Sequence, residues 1–329
     1  MSLYAIWTPT TFDQAYAAAS KTKNSTTNHY QMQDITSTTC NNVTINQYTT
    51  LTDSRDNQNY TVGKLEDGKC WMADNLDLDA YAYRNSITTA NTHITDSTAL
   101  DKFKSGGGST TDEYATGAIG SANSTNGYWT SSYSYSVPLI NRSGKCDSSI
   151  NSSYPCVAPY QDANYTNSTV ISMYGGSTTY NIGAGSYKIG TYYNYCAASL
   201  GSYCYGNGTS SGTPSGDATT DICPAYWRMP TGGASGEYQA LATAITNNHP
   251  STWNISTSPY SLQTFLSTPV SGFYRSGSAF RQGSYGCFWS STYGSDPYMY
   301  ILYLAGAGVY PQFYNYRVNG YSVRCVAQN

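Results

Sequence analysis

The clearest periodic segment is SGEYQALATAITNN, residues 235–248, where Tyr238, Leu241, Ala242 and Ile245 recur at i, i+3, i+4 and i+7. That spacing stacks apolar side chains on one side of an α-helix. Ser235 is placed to cap it, and Glu237 favours its positive N-terminal end. TFDQAYAAASK carries Thr11 and, three residues on, Gln14; this capping-box signature predicts a short helix running to about Lys21. Elsewhere the period is two. YTVGKL alternates, EDGK has turn composition and CWMADNL returns, so 60–76 reads as a β-hairpin. MYILYL, 299–304, reads as a strand from its length and flanks. Alternation there places Tyr298, Tyr300, Leu302 and Leu304 on one face and Met299, Ile301 and Tyr303 on the other. The first set is expected to face a ligand and the second the core.

Between these segments the texture changes. KSGGGSTT, GGSTTYNIGAGS and GNGTSSGTPSGDATT punctuate residues 105–220 with short aromatic islands between them. This stretch reads as loop-rich insertion, not a second core. The chain therefore divides into an N-terminal linker with a short helix, 1–33, and one domain, 34–329, with an insertion at about 105–220. Residues 4–9 read as the tail of a preceding segment and Met1–Leu3 as an appended scar. GYWTSSYS at 127–134 echoes CFWSSTYG at 287–294; a duplicated hairpin and chance account for this equally in a chain so rich in Ser, Thr and Tyr.

Composition narrows the function classes. Only 11% of the 329 residues are charged, against about 25% in ordinary soluble domains, so neutral polar groups must keep the protein in solution. A net charge of -3 offers no positive field for phosphates and argues against nucleic-acid partners. No apolar stretch approaches the ~20 residues that span a bilayer, so no membrane insertion is expected. The start, MSLYAIWTP, lacks the regions of a signal peptide. Nine cysteines without paired CxxC spacing read as disulfides, which places the protein outside the cell or on its surface. The Asn-x-Ser/Thr sequons, such as those at Asn24 and Asn42, follow from composition.

The residues of catalytic chemistry are scattered. His29, His93 and His249 lie far apart with no HExxH or HxH spacing, and an enzyme is not expected. DSRDNQNYT, 53–61, clusters oxygen ligands but lacks EF-hand spacing and its terminal Glu; it reads as a turn with exposed Asp53 and Asp56. No metal or cofactor is expected.

Four blocks then occur in order: GKCWMADNL (68–76), ICPAYWRMPT (222–231), FWSST (288–292) and GYSVRCV (320–326). Together they resemble the Fibrobacter succinogenes major paralogous domain family of exported bacterial proteins. The resemblance spans about 34–329, with the middle third poorly matched. It implies an α+β chain of C-type lectin-like fold, disulfide-stabilised, with large loop-rich insertions. The family block reads Cys-Pro-x-Gly-Trp-Arg, whereas Tyr226 stands here where Gly is expected. Trp71, Trp227 and Trp289 read as buried anchors needing a partner for each indole N–H. Because chain ends meet in one sheet of the lectin-like fold, the resemblance implies a Cys223–Cys325 bridge. Cys40–Cys70 and Cys146–Cys156 follow, then Cys196–Cys204, leaving Cys287 over. The Glu-Pro-Asn, Gln-Pro-Asp and Trp-Asn-Asp motifs of calcium-dependent sugar binding are absent, as are the signatures of formylglycine-generating enzymes, which share a related fold; an enzyme of that type stays as an alternative reading.

The C-terminal segment resembles something narrower, the variable proteins of diversity-generating retroelements. In these, Asn codons mutated at adenine yield Tyr, Ser, Gly, Asp, Arg, Phe, Leu, Cys, Ala or Val but never Lys, Glu, Gln, Met or Trp. No Lys or Glu follows Glu237. The expected ligand-binding set is Tyr274, Arg275, Phe280, Tyr285, Cys287, Tyr293, Tyr298, Tyr300, Leu302, Leu304, Phe313, Tyr314 and Tyr316, with Arg317 at the rim. Tyr suits such a surface because it brings area and a hydroxyl with little rotamer entropy to lose. The implied partner is a protein or glycan on another cell, or on a phage or host surface. Two other readings stay open: an ordinary Tyr-rich sheet, since Tyr numbers 35 and Lys already stops at Lys188, and a structural adhesin module.

Overall fold

The computed structural model describes residues 10–78, parts of 83–100, 192–200 and 216–248, and 272–328 with short breaks. Within these the chain is a mixed α and β protein with few helices and two main sheets, cross-linked by two disulfides. Most of the expected insertion, including Cys146, Cys156 and Cys204, lies outside the described residues.

Helix α1 (Phe12–Ala18) begins with the expected capping box: Gln14 N–H donates to Thr11 Oγ1 and Thr11 N–H to Gln14 Oε1. It stops earlier than Lys21. Ser20 takes φ 56°, and Ser20 N–H donates to Ala17 O while Lys21 N–H donates to Tyr16 O, the paired bonds of a Schellman ending. Strand β1 (Tyr30–Gln31) and a 3-10 turn (Met32–Asp34) lead into α2 (Ser37–Asn42), capped by Thr36, whose Oγ1 accepts from Thr39 N–H.

The first sheet adds β2 (Tyr48–Thr52), β3 (Asn59–Lys64), β4 (Cys70–Met72), β5 (Trp227–Arg228) and β11 (Val326–Ala327), in the order β1-β2-β3-β4-β11-β5. The expected hairpin is β3–β4, in register Lys64↔Cys70, with Gly68 at φ 79° in its turn, where a Cβ would be strained. The last strand sits between β4 and β5, pairing Val326 with both Trp71 and Arg228. Cys40 of α2 is bonded to Cys70 of β4, and Cys223 to Cys325 just before β11, at Cα–Cα 5.9 Å in both.

Sequence reasoning took 53–61 as a turn with exposed carboxylates, and the structure corrects this. Asp53 and Asp56 are buried. Asp53 Oδ2 meets Arg55 Nη2 at 2.6 Å, both side chains fully buried, and Arg55 Nη1 donates to Ile222 O at 2.6 Å. The turn is thus a clamp between the β2–β3 connection and the segment before Cys223. A lone ion this deep would be strongly destabilising, and the bidentate pair offsets much of that cost, so removing either partner alone would leave an uncompensated buried charge.

Trp71, Trp227 and Trp289 are fully buried, and each of these indole N–H groups is used: Trp71 Nε1 donates to Asp67, Trp227 to Met32 O at 2.8 Å and Trp289 to Tyr193 O at 2.7 Å. Tyr226, next to one of them, has φ 67° and is exposed. Among non-glycine residues that conformation is uncommon.

The second sheet is β10-β9-β8, built from β8 (Tyr285–Ser295), β9 (Tyr298–Ala305) and β10 (Gly308–Tyr316); β6 (Phe273–Arg275) and β7 (Ser278–Phe280) form a separate ribbon. Two further helices are the short α3 (Tyr195–Ala198) and the longer α4 (Glu237–Asn248). Its expected face is the observed one: Tyr238, Leu241, Ala242 and Ile245 are buried with Trp71, Phe288, Leu302, Leu304, Val309 and Val326. Ser235 is not its cap. Ala240 N–H bonds Gly236 O, so the helix begins one residue later, and Thr231 Oγ1 accepts from Glu237 N–H.

Candidate recognition surface

The geometry of β10 follows from one irregularity. Its pairing with β9 runs Val309↔Leu304 and Tyr310↔Tyr303, then resumes at Phe313↔Ile301 and Tyr314↔Tyr300, ending at Tyr316↔Tyr298. Three steps on β10 oppose two on β9, a β-bulge holding Pro311 and Gln312. Pro lacks an N–H for the ladder and is tolerated at a bulge on an edge strand. Because side chains alternate with period two, the extra residue changes which of them share a face. Tyr314 and Tyr316 come to lie on the face of Tyr298 and Tyr300, and Phe313 joins Tyr303 and Tyr310 on the other.

Each face of the sheet is covered only in part. Helix α4 lies over Leu302, Leu304 and Val309, while the larger core packs beneath Cys287, Trp289, Met299 and Ile301. The covered regions are opposite corners. Tyr298 and Tyr300 are left half-exposed on one face and Tyr303 on the other. Edge strand β10 is the most open, with Tyr314 55%, Tyr310 49%, Tyr316 43% and Phe313 41% exposed.

These rings touch in one continuous series. Tyr310 meets Tyr303 at 5.8 Å between centroids, Tyr303 stacks on Phe313 at 4.7 Å, and Phe313 lies 6.2 Å from Tyr314. Tyr314 then meets Tyr300 at 6.3 Å and Tyr298 at 5.5 Å, and Tyr298 meets Tyr316 at 4.7 Å with their hydroxyls 3.1 Å apart. The result is a ribbon of seven rings wrapped around the edge of the sheet.

The loop before α4 borders it. A Cβ on Gly232 would fall 2.6 Å from Tyr300 Cβ and 2.5 Å from Ser290 Oγ, so only glycine lets this loop lie against Tyr300. Gly232 N–H donates to Thr292 Oγ1, which donates to Asp217 Oδ1. Gln312 Nε2 donates to Gln239 Oε1 at 2.8 Å and ties the bulge to α4. At the start of α4, Glu237 accepts from the two terminal Arg228 nitrogens, Nη1 and Nη2, at 2.5 and 2.7 Å, from Lys69 Nζ at 2.5 Å and from Thr231 N–H. Burial alone would raise its pKa, but Arg228 and Lys69 hold its carboxyl down at about 2. Nearby Asp67 goes the other way, pushed up to about 6 chiefly by burial.

The expected site residues divide on burial. Tyr298, Tyr300, Phe313, Tyr314 and Tyr316 are brought together on the ribbon. Leu302, Leu304 and Cys287 were expected to face a ligand and do not: all three are buried, the leucines beneath α4 and Cys287 in the larger core. The alternation was read correctly, but the helix seals half of the face it defines. Burial pushes the Cys287 thiol pKa up, and the cysteine is unbridged. Tyr285 and Tyr293 are half-buried and pack on the larger core. The backbones of Tyr274, Arg275 and Phe280 form β6 and β7, while their side chains, like all of Arg317, lie outside the described residues. Tyr303, assigned to the core, and Tyr310 were missed; Pro311 was the one sequence signal for the bulge that recruits them.

Among the described residues no group of His, Cys, Asp and Glu is arranged to hold a metal ion, and no helix is long and apolar enough to cross a membrane. Comparison of this chain with known protein families, with curated proteins and with solved structures finds no match.

Proposed function

We infer that this chain is the ligand-binding display domain of an exported bacterial surface protein, recognising a macromolecular target through its Tyr-rich C-terminal surface. The observation that carries this reading is the ribbon of contacting, solvent-facing rings on an edge strand whose frame is cross-linked elsewhere. Contiguous exposed aromatic surface marks contact sites, and a rigid frame lowers the entropy lost when such side chains bind.

Two features favour the C-type lectin-like fold and the major-paralogous-domain resemblance. The C-terminal strand lies inside a sheet with N-terminal strands and is bridged through Cys223–Cys325. Tyr226 holds a positive φ where the family block has glycine. On the retroelement reading, the varied positions are the ribbon residues Tyr298, Tyr300, Tyr303, Tyr310, Phe313, Tyr314 and Tyr316. Cys287, Leu302 and Leu304 then belong to the constant frame. Sequencing the surrounding genome tests the retroelement reading: it expects a reverse transcriptase gene and a near-repeat with Asn codons at the ribbon positions, and their absence contradicts it. Recognition itself is tested by displaying a library varied at these seven positions. Folded variants should yield binders to protein or glycan targets, and a library that folds yet never binds contradicts the proposal.

A further inference from the structure

We propose that Tyr298 and Tyr316 form an oxidative modification site, at which the two rings are joined carbon to carbon as dityrosine within one chain. The site is independent of what the ribbon recognises and adds a covalent chemistry at one end of it.

Geometry singles out this pair within the ribbon. Tyr316 on β10 lies directly opposite Tyr298 on β9, and such cross-strand neighbours bring their side chains together on one face. The ring centroids are 4.7 Å apart, the planes are tilted by 47°, and the Tyr298 hydroxyl donates to that of Tyr316 at 3.1 Å. Rings touching only at their hydroxyl tips would have much more widely separated centroids. The two phenols therefore lie along one another, which brings the carbons beside each hydroxyl into the same short gap. In dityrosine the new bond joins those carbons and leaves the hydroxyls adjacent on rings twisted about it, so the unbonded pair already resembles the product. Neighbouring contacts do not: Tyr298–Tyr314 at 68° and Tyr300–Tyr314 at 88° set an edge against a face. Tyr16 and Tyr30 also stack closely, but both are buried from an oxidant in solution. Tyr316 is 43% exposed and Tyr298 half-exposed.

The step balances with hydrogen peroxide acting through a peroxidase. Each phenol gives up one electron and its hydroxyl proton and becomes a phenoxyl radical, whose unpaired electron is shared with the carbons beside the oxygen. Two such radicals combine into one C–C bond, and the hydrogens on the joined carbons then move to the oxygens and restore both phenols. The chain loses two protons and two electrons in all, which reduce one peroxide to two waters. Holding the two rings in place makes their coupling a reaction within one molecule, favoured over coupling between chains. The residues lie 18 apart in sequence, at the end of the β9–β10 hairpin away from its Ala305–Gly308 turn, so the bond closes that hairpin and fixes its edge strand.

The test treats the dilute full chain with a peroxidase and limiting hydrogen peroxide, with free tyrosine oxidised in parallel to show that the oxidant is active. The monomer should become two hydrogens lighter and gain dityrosine fluorescence. After reduction of the disulfides, the chymotryptic peptides carrying Tyr298 and Tyr316 should be found joined by mass spectrometry. Tyr316→Phe and Tyr298→Phe, which keep the ring but remove the hydroxyl, should each lose the fluorescence of the monomer, while Tyr314→Phe should retain it. A monomer that stays unmodified while free tyrosine couples overturns the proposal. Bonds formed only between chains, or an unchanged yield within the monomer in Tyr316→Phe, also overturn it, and none of these results bears on whether the ribbon recognises a target.

Discussion

Phe313 and Tyr314 are neighbours in sequence that pair with residues on opposite faces of the sheet, Ile301 and Tyr300, yet their rings lie 6.2 Å apart and only 20° from parallel. This contact carries the aromatic ribbon around the open edge of β10. Without it the exposed rings would form two patches separated by the strand. It depends on the Pro311–Gln312 bulge, which sets the register of everything after it.

The division between frame and surface predicts opposite outcomes for residues on one face. Leu302 is fully buried under α4, so Leu302→Ala should cost about 2–5 kcal/mol. Tyr314 is more than half exposed, and Tyr314→Ala should stay within about 0.5 kcal/mol of the parent in stability while weakening target binding. Urea unfolding of both variants checks the pair.

Tyr226 sits at φ 67° with its side chain largely in water, so the ring contributes little packing while the Cβ strains the backbone. Tyr226→Gly should stabilise the protein by up to about 1 kcal/mol, because relief of the left-handed strain exceeds the entropy glycine adds to the unfolded chain. A lower melting temperature for the variant would contradict this.

Cys223–Cys325 closes a separation of 102 residues and Cys40–Cys70 one of 30. In the chain-entropy treatment, removing the longer link by paired Cys→Ala replacement should cost about 1 kcal/mol more than removing the shorter. Denaturant midpoints of the two double variants test the order, and equal losses would show that the closing strand does not depend on its bridge more than α2 does.

Asp67 supplies a pH signature. Burial outweighs the hydrogen bonds from Lys69 N–H and Trp71 Nε1 and pushes its carboxyl from 3.8 up to about 6. A raised carboxyl pKa favours the protonated folded form, so this contribution is full below about pH 4 and is lost as pH rises through about 6. Asp67→Asn keeps a carbonyl oxygen for Trp71 and removes the ionisation. With the partial exposure discounted, the variant should be about 1–2 kcal/mol more stable at pH 7 and equal to the parent near pH 3. Glu237 has the reverse dependence: held at about 2 by Arg228 and Lys69, its contribution is present above its unfolded value and lost as pH falls toward 2.

What could be read from the chain follows the range of the interactions involved. Helix α4 was legible because its apolar face repeats within twelve residues, and β3–β4 because its turn composition and alternation are local. The two observed bridges came from the family resemblance, since spacing does not determine connectivity. The start of α4 was misplaced because its cap is Thr231, six residues before Glu237, across a glycine loop that local pattern does not reveal. Asp53 and Asp56 looked exposed because their burial depends on Arg55 reaching Ile222, 167 residues away. On β9, alternation placed residues on faces but did not show where α4 ends. That boundary separates buried Leu302 and Leu304 from open Tyr298 and Tyr300.

The central claim is that an accessible aromatic ribbon wraps the edge of β10, and graded nitration with tetranitromethane, mapped by peptide mass spectrometry, tests it most directly. Tyr310, Tyr314 and Tyr316 should react first, with Tyr298, Tyr300 and Tyr303 slower and the fully buried Tyr60, Tyr193 and Tyr238 protected until unfolding. Protection of Tyr310, Tyr314 and Tyr316 at the level of Tyr238 in the native protein would contradict the claim.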